Sequence, residues 1–454
     1  MKARLLLAAL WSLAFPASGG GVLTLEEAYD RALSSDQSIL KAYWETRIDN
    51  LAPYSALTRL GPSLTGNLSQ ATSRSTTTFA VTQTTQTTQI SAASSTAATT
   101  ETLLPGTTVT NTGSGGLTFQ QTLLDLTAIP AYRAGKLTAA AAKLDYQYTI
   151  RTVLYGVAQA YYEVLKQQRV ASVYKEAVHL AEQQLDLAQK KANAGESLRS
   201  DVMNARFTVE SDRQGLIAAE NTLESDRAKL ANALNLKIGS DFQLVEPPQY
   251  SAPVPSFEAA LSAALRKRED LRSKELAIDE NIQNRKEIVA EYLPKLVAQA
   301  DSDFNSVTGS SGSHTGSWDA TISLEMPFLS GGQREIDLRQ TRYQINQARL
   351  DYQTQAKTVA QDVKDACLTV STLKASLESL RVQTEAAEQA SGDTQNEYRA
   401  GSATSVDVLT ALNNLNAALR DLATATYDYQ VALRNLETVG GIFQEERIQK
   451  LKFK

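Results

Sequence analysis

The sequence predicts a mixed α/β membrane protein, with long α-helical coiled-coil segments and four β-strands per protomer, laid out as an internal tandem duplication. Three observations predict it. A twelve-residue phrase occurs twice, as Ala194-Gly195 through Asp201-Val202 to Ala205 and as Ala400-Gly401 through Asp407-Val408 to Ala411, at one offset of 206. Apolar heptads run for tens of residues on both sides of each copy. Between the heptads lie segments that alternate apolar and polar residues, as a half-buried strand does.

The chain opens with Lys2 and Arg4 before the apolar run Leu5 to Phe15 and the small residues Ala17-Ser18-Gly19, so residues 1–19 read as a cleaved secretory signal. The run is too short to span a bilayer as a helix, and no later stretch is apolar for long enough. A single cysteine, Cys367, excludes a disulfide within the chain. The net charge of −5 argues against nucleic acid. His179 and His314 stand far apart without ligand spacing, and neither a nucleophile constellation, a phosphate loop nor a metal motif is present. The reading is therefore a non-enzyme with no cofactor and no metal.

Residues 20–238 form the first repeat: a helix opened by the capping box Thr24-Leu-Glu-Glu27, a strand at 63–75, a Thr/Ser-rich loop, a strand at 108–124, and long helices at 128–194 and 198–235. A linker at 239–255, carrying Pro247, Pro248, Pro253 and Pro255, divides it from the second repeat at 256–441. There the same plan returns as a helix at 256–291, strands at 294–305 and 318–328, and long helices at 333–400 and 404–438, followed by a tail at 442–454. Ala28, Ala32 and Leu33 recur as Ala260, Ala264 and Leu265 at an offset of 232, and Pro62 recurs as Pro294. Pro62, Pro294 and Pro327 mark the changes between helical and alternating periods. The segment 71–115 is almost uncharged Thr, Ser and Gln that cannot bury a core, and reads as strand ends and a solvent-exposed loop.

Around Trp318, the residues Ala320, Ile322, Leu324, Met326 and Phe328 share one face, while Asp319 and Glu325 share the other with Thr321 and Ser323. The preceding strand places Asp301 and Asp303 with Gln299, opposite Leu296, Ala298, Ala300 and Phe304. Four strands cannot close a membrane barrel, and open edges in lipid cost several kcal/mol per unpaired backbone group. Copies must therefore assemble, and water-requiring carboxylates on the inner face (Asp301, Asp303, Asp319, Glu325) favour a homotrimer with a 12-stranded β-barrel over a narrow dimer.

The duplicated order, together with Tyr398-Arg-Ala-Gly401-Ser-Ala-Thr-Ser-Val-Asp407-Val-Leu-Thr-Ala411 and its partner phrase at Ala194 to Ala205, resembles the TolC-type outer-membrane efflux and secretion channels, over about residues 22–441. The resemblance implies a homotrimer in the outer membrane of a Gram-negative bacterium, with a 12-helix periplasmic tunnel gated at its tip. It implies a passive exit duct for efflux or type I secretion, reached by an inner-membrane pump through a periplasmic adaptor protein. It also implies roles for residues. Asp407 would ring the constriction, Tyr398 would help hold the closed tip, and Asp201 would join the same network. The turns Ala194-Gly195-Glu196 and Ala400-Gly401-Ser402 would meet the adaptor. Two positions depart from the family pattern: Thr410 stands where a second aspartate is usual, and Ala403 where an arginine is. A structural or adhesive coiled-coil rod of the envelope is the alternative reading, which has no use for lipid-facing alternation.

Overall fold

The computed structural model describes residues 21–85, 98–248, 254–308 and 312–450. The signal segment 1–19, residues 86–97 of the Thr/Ser-rich segment, residues 249–253 of the linker and the last residues of the tail, 451–454, lie outside the described residues. Two compact units are distinguished, one made of residues 1–50, 137–278 and 346–454, the other of residues 51–136 and 279–345.

In chain order the elements are β1 (Gly21–Leu23), α1 (Leu25–Ser35), α2 (Gln37–Asp49), α3 (Ala52–Leu57), β2 (Pro62–Thr85), β3 (Ala98–Leu124), α4 (Ala128–Asn193), α5 (Arg199–Ala233) and β4 (Phe242–Leu244). The second half follows with α6 (Phe257–Lys267), α7 (Glu269–Ala290), β5 (Lys295–Thr308), β6 (Ser313–Glu325), α8 (Gln333–Ala400), α9 (Ser405–Val439) and α10 (Glu445–Lys450).

The first unit is helical, and its core repeats with the sequence. The capping box starts α1, with the Glu27 N–H donating to Thr24 Oγ1 at 3.3 Å and the Thr24 N–H to Glu27 Oε2 at 3.0 Å. Leu25, Ala28, Tyr29 and Ala32 of α1 then pack against Ile150, Leu154, Val157 and Tyr161 of α4 and Leu230 and Leu234 at the end of α5. In the second repeat Ala260 and Ala264 of α6 pack on Val359 and Val363 of α8, so small residues on one stripe bring both pairs of helices close. Val359, Val363, Ala366 and Val370 of α8 are all buried at heptad spacing, and along α4 the buried stripe is Val173, Ala177, Ala181 and Ala188.

Several predicted boundaries are corrected. The helix expected at 256–291 is two helices, because Arg268 adopts an extended backbone (ψ 123°). Its guanidinium there reaches Asp270 at 3.0 and 2.7 Å and Asp362 at 2.9 Å, a pairing that holds its proton more tightly than usual. The helix that begins at Thr24 likewise breaks at Asp36, whose carboxylate accepts from the N–H groups of Ser38 and Ile39 to cap α2. The linker is not merely a connection, since β4 pairs in parallel with β1. The Tyr161 hydroxyl lies 2.9 Å from the Leu23 carbonyl and 2.6 Å from that of Val245, and burial pushes its pKa up to about 12. The tail also enters the core: Phe443 is buried against Tyr29, and Arg447 pairs with Glu26 and Asp30.

The second unit is a four-stranded antiparallel sheet in the order β2-β3-β5-β6, with the short helical ends beside it. The strands expected at 63–75 and 108–124 are longer, since the Thr/Ser-rich segment continues as ladder from Ser73↔Thr110 to Thr85↔Ala98. The strand expected at 318–328 instead starts at Ser313 and ends at Glu325, which makes Gly316 a strand residue and leaves Met326, Pro327 and Phe328 in the connection to α8. Pro62 is the first residue of β2, Pro294 immediately precedes β5, and the Pro327 carbonyl accepts from Arg334 Nη1 at 2.8 Å. Each proline sits where a missing N–H costs the ladder nothing.

Gly135 of α4 meets α3 at backbone distance. A Cβ there would fall 2.6 Å from the Pro53 nitrogen and 2.7 Å from the Ala52 carbonyl carbon, neither of which can rotate away. Gly135→Ala is therefore expected to destabilise by about 1–3 kcal/mol through overpacking, despite the better helix propensity of alanine. The check is the urea midpoint of the purified protein, and an unchanged or raised midpoint would refute this close approach.

Candidate functional site at the helix-hairpin turns

Both copies of the repeated phrase end one long helix and begin the next. At the first, Gly195 has φ +76°, and the Glu196 N–H donates to the Lys191 carbonyl at 2.8 Å. At the second, Gly401 has φ +83°, and the Ser402 N–H donates to the Glu397 carbonyl at 2.9 Å. These are Schellman closures, in which only glycine takes the left-handed position without strain. No neighbouring atom lies within 4 Å of either glycine's Cβ position, so the requirement is conformational and not steric.

The aspartates start the next helices. Asp201 Oδ2 accepts from the Leu198 N–H at 3.1 Å and from Ser197 Oγ at 2.7 Å. Asp407 Oδ2 accepts from the Thr404 N–H at 2.9 Å and Thr404 Oγ1 at 2.6 Å, while the Asp407 N–H donates back to Thr404 Oγ1 at 3.2 Å. This is a capping box with aspartate in the third position. The Thr404 hydroxyl, and then its backbone N–H, hold the exposed Asp407 carboxyl below the usual carboxylate range. Carboxylates crowded around a shared axis would repel one another, which raises their pKa on average. Within one chain the direction is the reverse, because hydrogen bonds from the turn favour the charged form.

Tyr398, only 5% exposed, packs with Val408 and Leu412 against Leu180 and Leu187 of α4. Among the described residues its hydroxyl is buried without a hydrogen-bond partner, so neither Asp201 nor Asp407 of the same chain bonds it. The clasp between α4 and α8 comes instead from Lys191, a residue the sequence argument missed. Its ammonium lies 3.9 Å from the centroid of the Tyr398 ring and donates to the Tyr398 carbonyl at 2.6 Å. The only sequence signal was a basic last turn, Lys190-Lys191, which reads as ordinary helix-dipole complement. Ala403 joins the same apolar cluster, and the exposed Thr410 hydroxyl turns back to the Val406 carbonyl at 2.8 Å. Ala194, Glu196, Ala400 and Ser402 are exposed at the turns.

In the sheet, the register joins the apolar positions of all four strands on one face. Leu64↔Phe119, Phe119↔Ala300 and Ala300↔Ala320 form one row, and Leu68↔Gly115, Gly115↔Phe304 and Phe304↔Gly316 another. That face is uncovered in the single chain: Trp318 is 80% and Leu68 94% exposed. The opposite face carries Asp301 directly across from Asp319, Asp303 across from Ser317, and Glu325 across from Lys295. Gln299 Nε2 donates to Asp301 Oδ2 at 2.7 Å. Among the described residues no helix is long and apolar enough to cross a membrane.

A sheet with one largely apolar exposed face, in a chain with helix hairpins of matched turns, defines a membrane-inserted channel built on strands. The family model described as outer membrane efflux protein matches residues 28–236 and 260–441, and the chain belongs to that family. It is 25% identical over 332 residues to the outer membrane efflux protein BepC of Brucella suis, covering 72% of each chain. It is also 25% identical over 348 residues to the alkaline protease secretion protein AprF of Pseudomonas aeruginosa, covering 73% of this chain and 70% of that one. The fold matches the Campylobacter jejuni CmeC outer membrane channel with a TM-score of 0.73 at 18% identity, over 94% of this chain and 88% of that one. The protein is an outer-membrane channel, and the family's two matched segments coincide with the two repeats.

Proposed function

We propose that three copies of this chain assemble into an outer-membrane channel-tunnel that serves as the exit duct for an inner-membrane transporter, joined to it by a periplasmic adaptor protein. One observation carries the reading: the four-stranded sheet has an exposed apolar face and two open edges, β2 and β6. In lipid those edges must be paired, and pairing β6 of one copy with β2 of the next closes a ring. Three copies give 12 strands and leave water for the facing carboxylates Asp301 and Asp319, whereas an eight-stranded ring would be filled by side chains. The helix hairpins then form a 12-helix tunnel on the periplasmic side. Its tip carries the turns 194–196 and 400–402 as the adaptor contact, with Asp407 and Asp201 around the constriction. An adhesive rod has no need of the apolar sheet face.

Exported cargo follows the transporter rather than this duct, and relatives named for efflux and for protease secretion are both compatible with it. The duct binds nothing tightly and performs no chemistry.

The tip is tested in planar bilayers. Asp407→Asn is expected to weaken cation selectivity, because three carboxylates around a narrow axis attract cations. Since Thr404 lowers the Asp407 pKa, the charge persists as pH falls until that depressed value is reached. Thr404→Val removes the hydroxyl bond and should move the loss of selectivity to higher pH. Selectivity indifferent to both substitutions would count against the ring.

A further inference from the structure

The Thr-rich ribbon is the part of the sheet that the channel reading leaves without a role. Among the described residues the strand β3 has no β5 partner beyond Asn111↔Thr308, yet it pairs with β2 for thirteen further rows, Ser73↔Thr110 to Thr85↔Ala98. At about 3.4 Å per row this two-stranded ribbon projects about 45 Å past the four-stranded sheet. Its neighbour in a closed ring would be β6, whose 13 residues can cover at most about the lower half of the 24-residue β2. Each ribbon therefore presents two open edges, on which about every second backbone N–H and C=O has no partner.

An isolated two-stranded hairpin is marginally stable in water, and three or more strands are usually needed. Here the ribbon has little apolar content to compensate. Natural open edges are normally blunted by charge, proline or brevity. This one is long, and across these rows its only charged residues are Arg74 and Glu101, with Pro105 interrupting at a single row. Such edges fit another strand of the same kind.

We propose that the ribbons of neighbouring protomers pair edge to edge, β2 of one with β3 of the next, forming a six-stranded collar on the outer mouth of the channel. The proposal rests on the trimer reading above. It is continuous with the interface that reading requires, because β2 already meets the neighbouring protomer at its base. The two partner strands run antiparallel in a closed ring. They start three strand spacings apart, roughly 14 Å, a gap that a 45 Å ribbon can close by leaning inward. Six strands enclose a smaller bore than the eight that side chains already fill, so the collar narrows the exit.

The test uses the full-length protein in a Cys367→Ser background. Thr82→Cys is co-expressed in turn with Thr99→Cys, Thr100→Cys or Thr102→Cys, each chain carrying one cysteine, and intact cells are oxidised. A disulfide between two different chains in at least one combination is the expected result. Hydrogen exchange of unsubstituted trimers provides the second reading: edge pairing protects nearly all amides of residues 76–85, whereas a free ribbon exchanges about half of them quickly. Heat-modifiable trimers with no inter-chain link and half-protected ribbons would overturn the collar while leaving the channel standing. Failure to obtain trimers at all would overturn the channel reading and the collar with it.

Discussion

Lys191→Met is expected to raise the conductance of the assembled channel in a planar bilayer, by about tenfold or more in the ratio of open to closed tip. The substitution keeps an unbranched apolar stem but removes the ammonium from the face and carbonyl of Tyr398. A cation over an aromatic ring contributes about 0.5–2 kcal/mol, and a charge-assisted hydrogen bond about 1.5–3 kcal/mol. Together they exceed the roughly 1.4 kcal/mol of a tenfold shift per protomer, and the contact recurs in each copy. Lys191→Arg, which keeps a cation and donors, should open the tip much less. Tyr398→Phe distinguishes this clasp from a latch through the phenol. The hydroxyl is buried without a partner, so removing it should leave conductance unchanged. A silent Lys191→Met combined with an open Tyr398→Phe would reverse the assignment.

Arg151→Met has the largest expected effect on stability. Arg151 and Glu269 are both buried, joined by Nε to Oε2 at 3.3 Å and Nη2 to Oε1 at 2.5 Å, and Arg151 Nη1 donates to the Phe443 carbonyl. Removing the guanidinium strands a carboxylate and a carbonyl away from water. The loss should be about 3–5 kcal/mol, read as a lowered urea midpoint or as unfolding at the growth temperature. Adding Glu269→Met should recover most of it, since the desolvation cost of the pair disappears with its second member. A double variant as unstable as the single one would show that the site depends on shape rather than on charge. The same contact explains the buried tail: α4, the start of α7 and residue 443 meet at one guanidinium.

The legible parts of this protein were those written in short periods. Alternation at Trp318, Ala320, Ile322 and Leu324 already assigned both faces of β6, and the register of β5 against it follows from the same rule. The left-handed glycines Gly195 and Gly401, and Asp407 three residues after Thr404, are local signals that need no distant partner. The Thr-rich ribbon was read as a loop because both of its faces are mainly polar. With no apolar side to mark, alternation carries no information, and only cross-strand pairing reveals it as a strand.

The contacts that join separate stretches of sequence were not legible. Lys191 and Tyr398 are 207 residues apart, and each alone looks like a helix-end lysine or a core tyrosine. Arg268 breaks a helix that periodicity would continue, because Asp270 and Asp362 reward the extended conformation. By itself the sequence determined the duplication, the capped turns and the two-faced sheet, since each follows from residues within a few positions of one another. The tertiary structure decided which side chains clasp the two hairpins, where the helices break, and how far β2 and β3 run. Those outcomes depend on partners that only folding brings within a few ångströms.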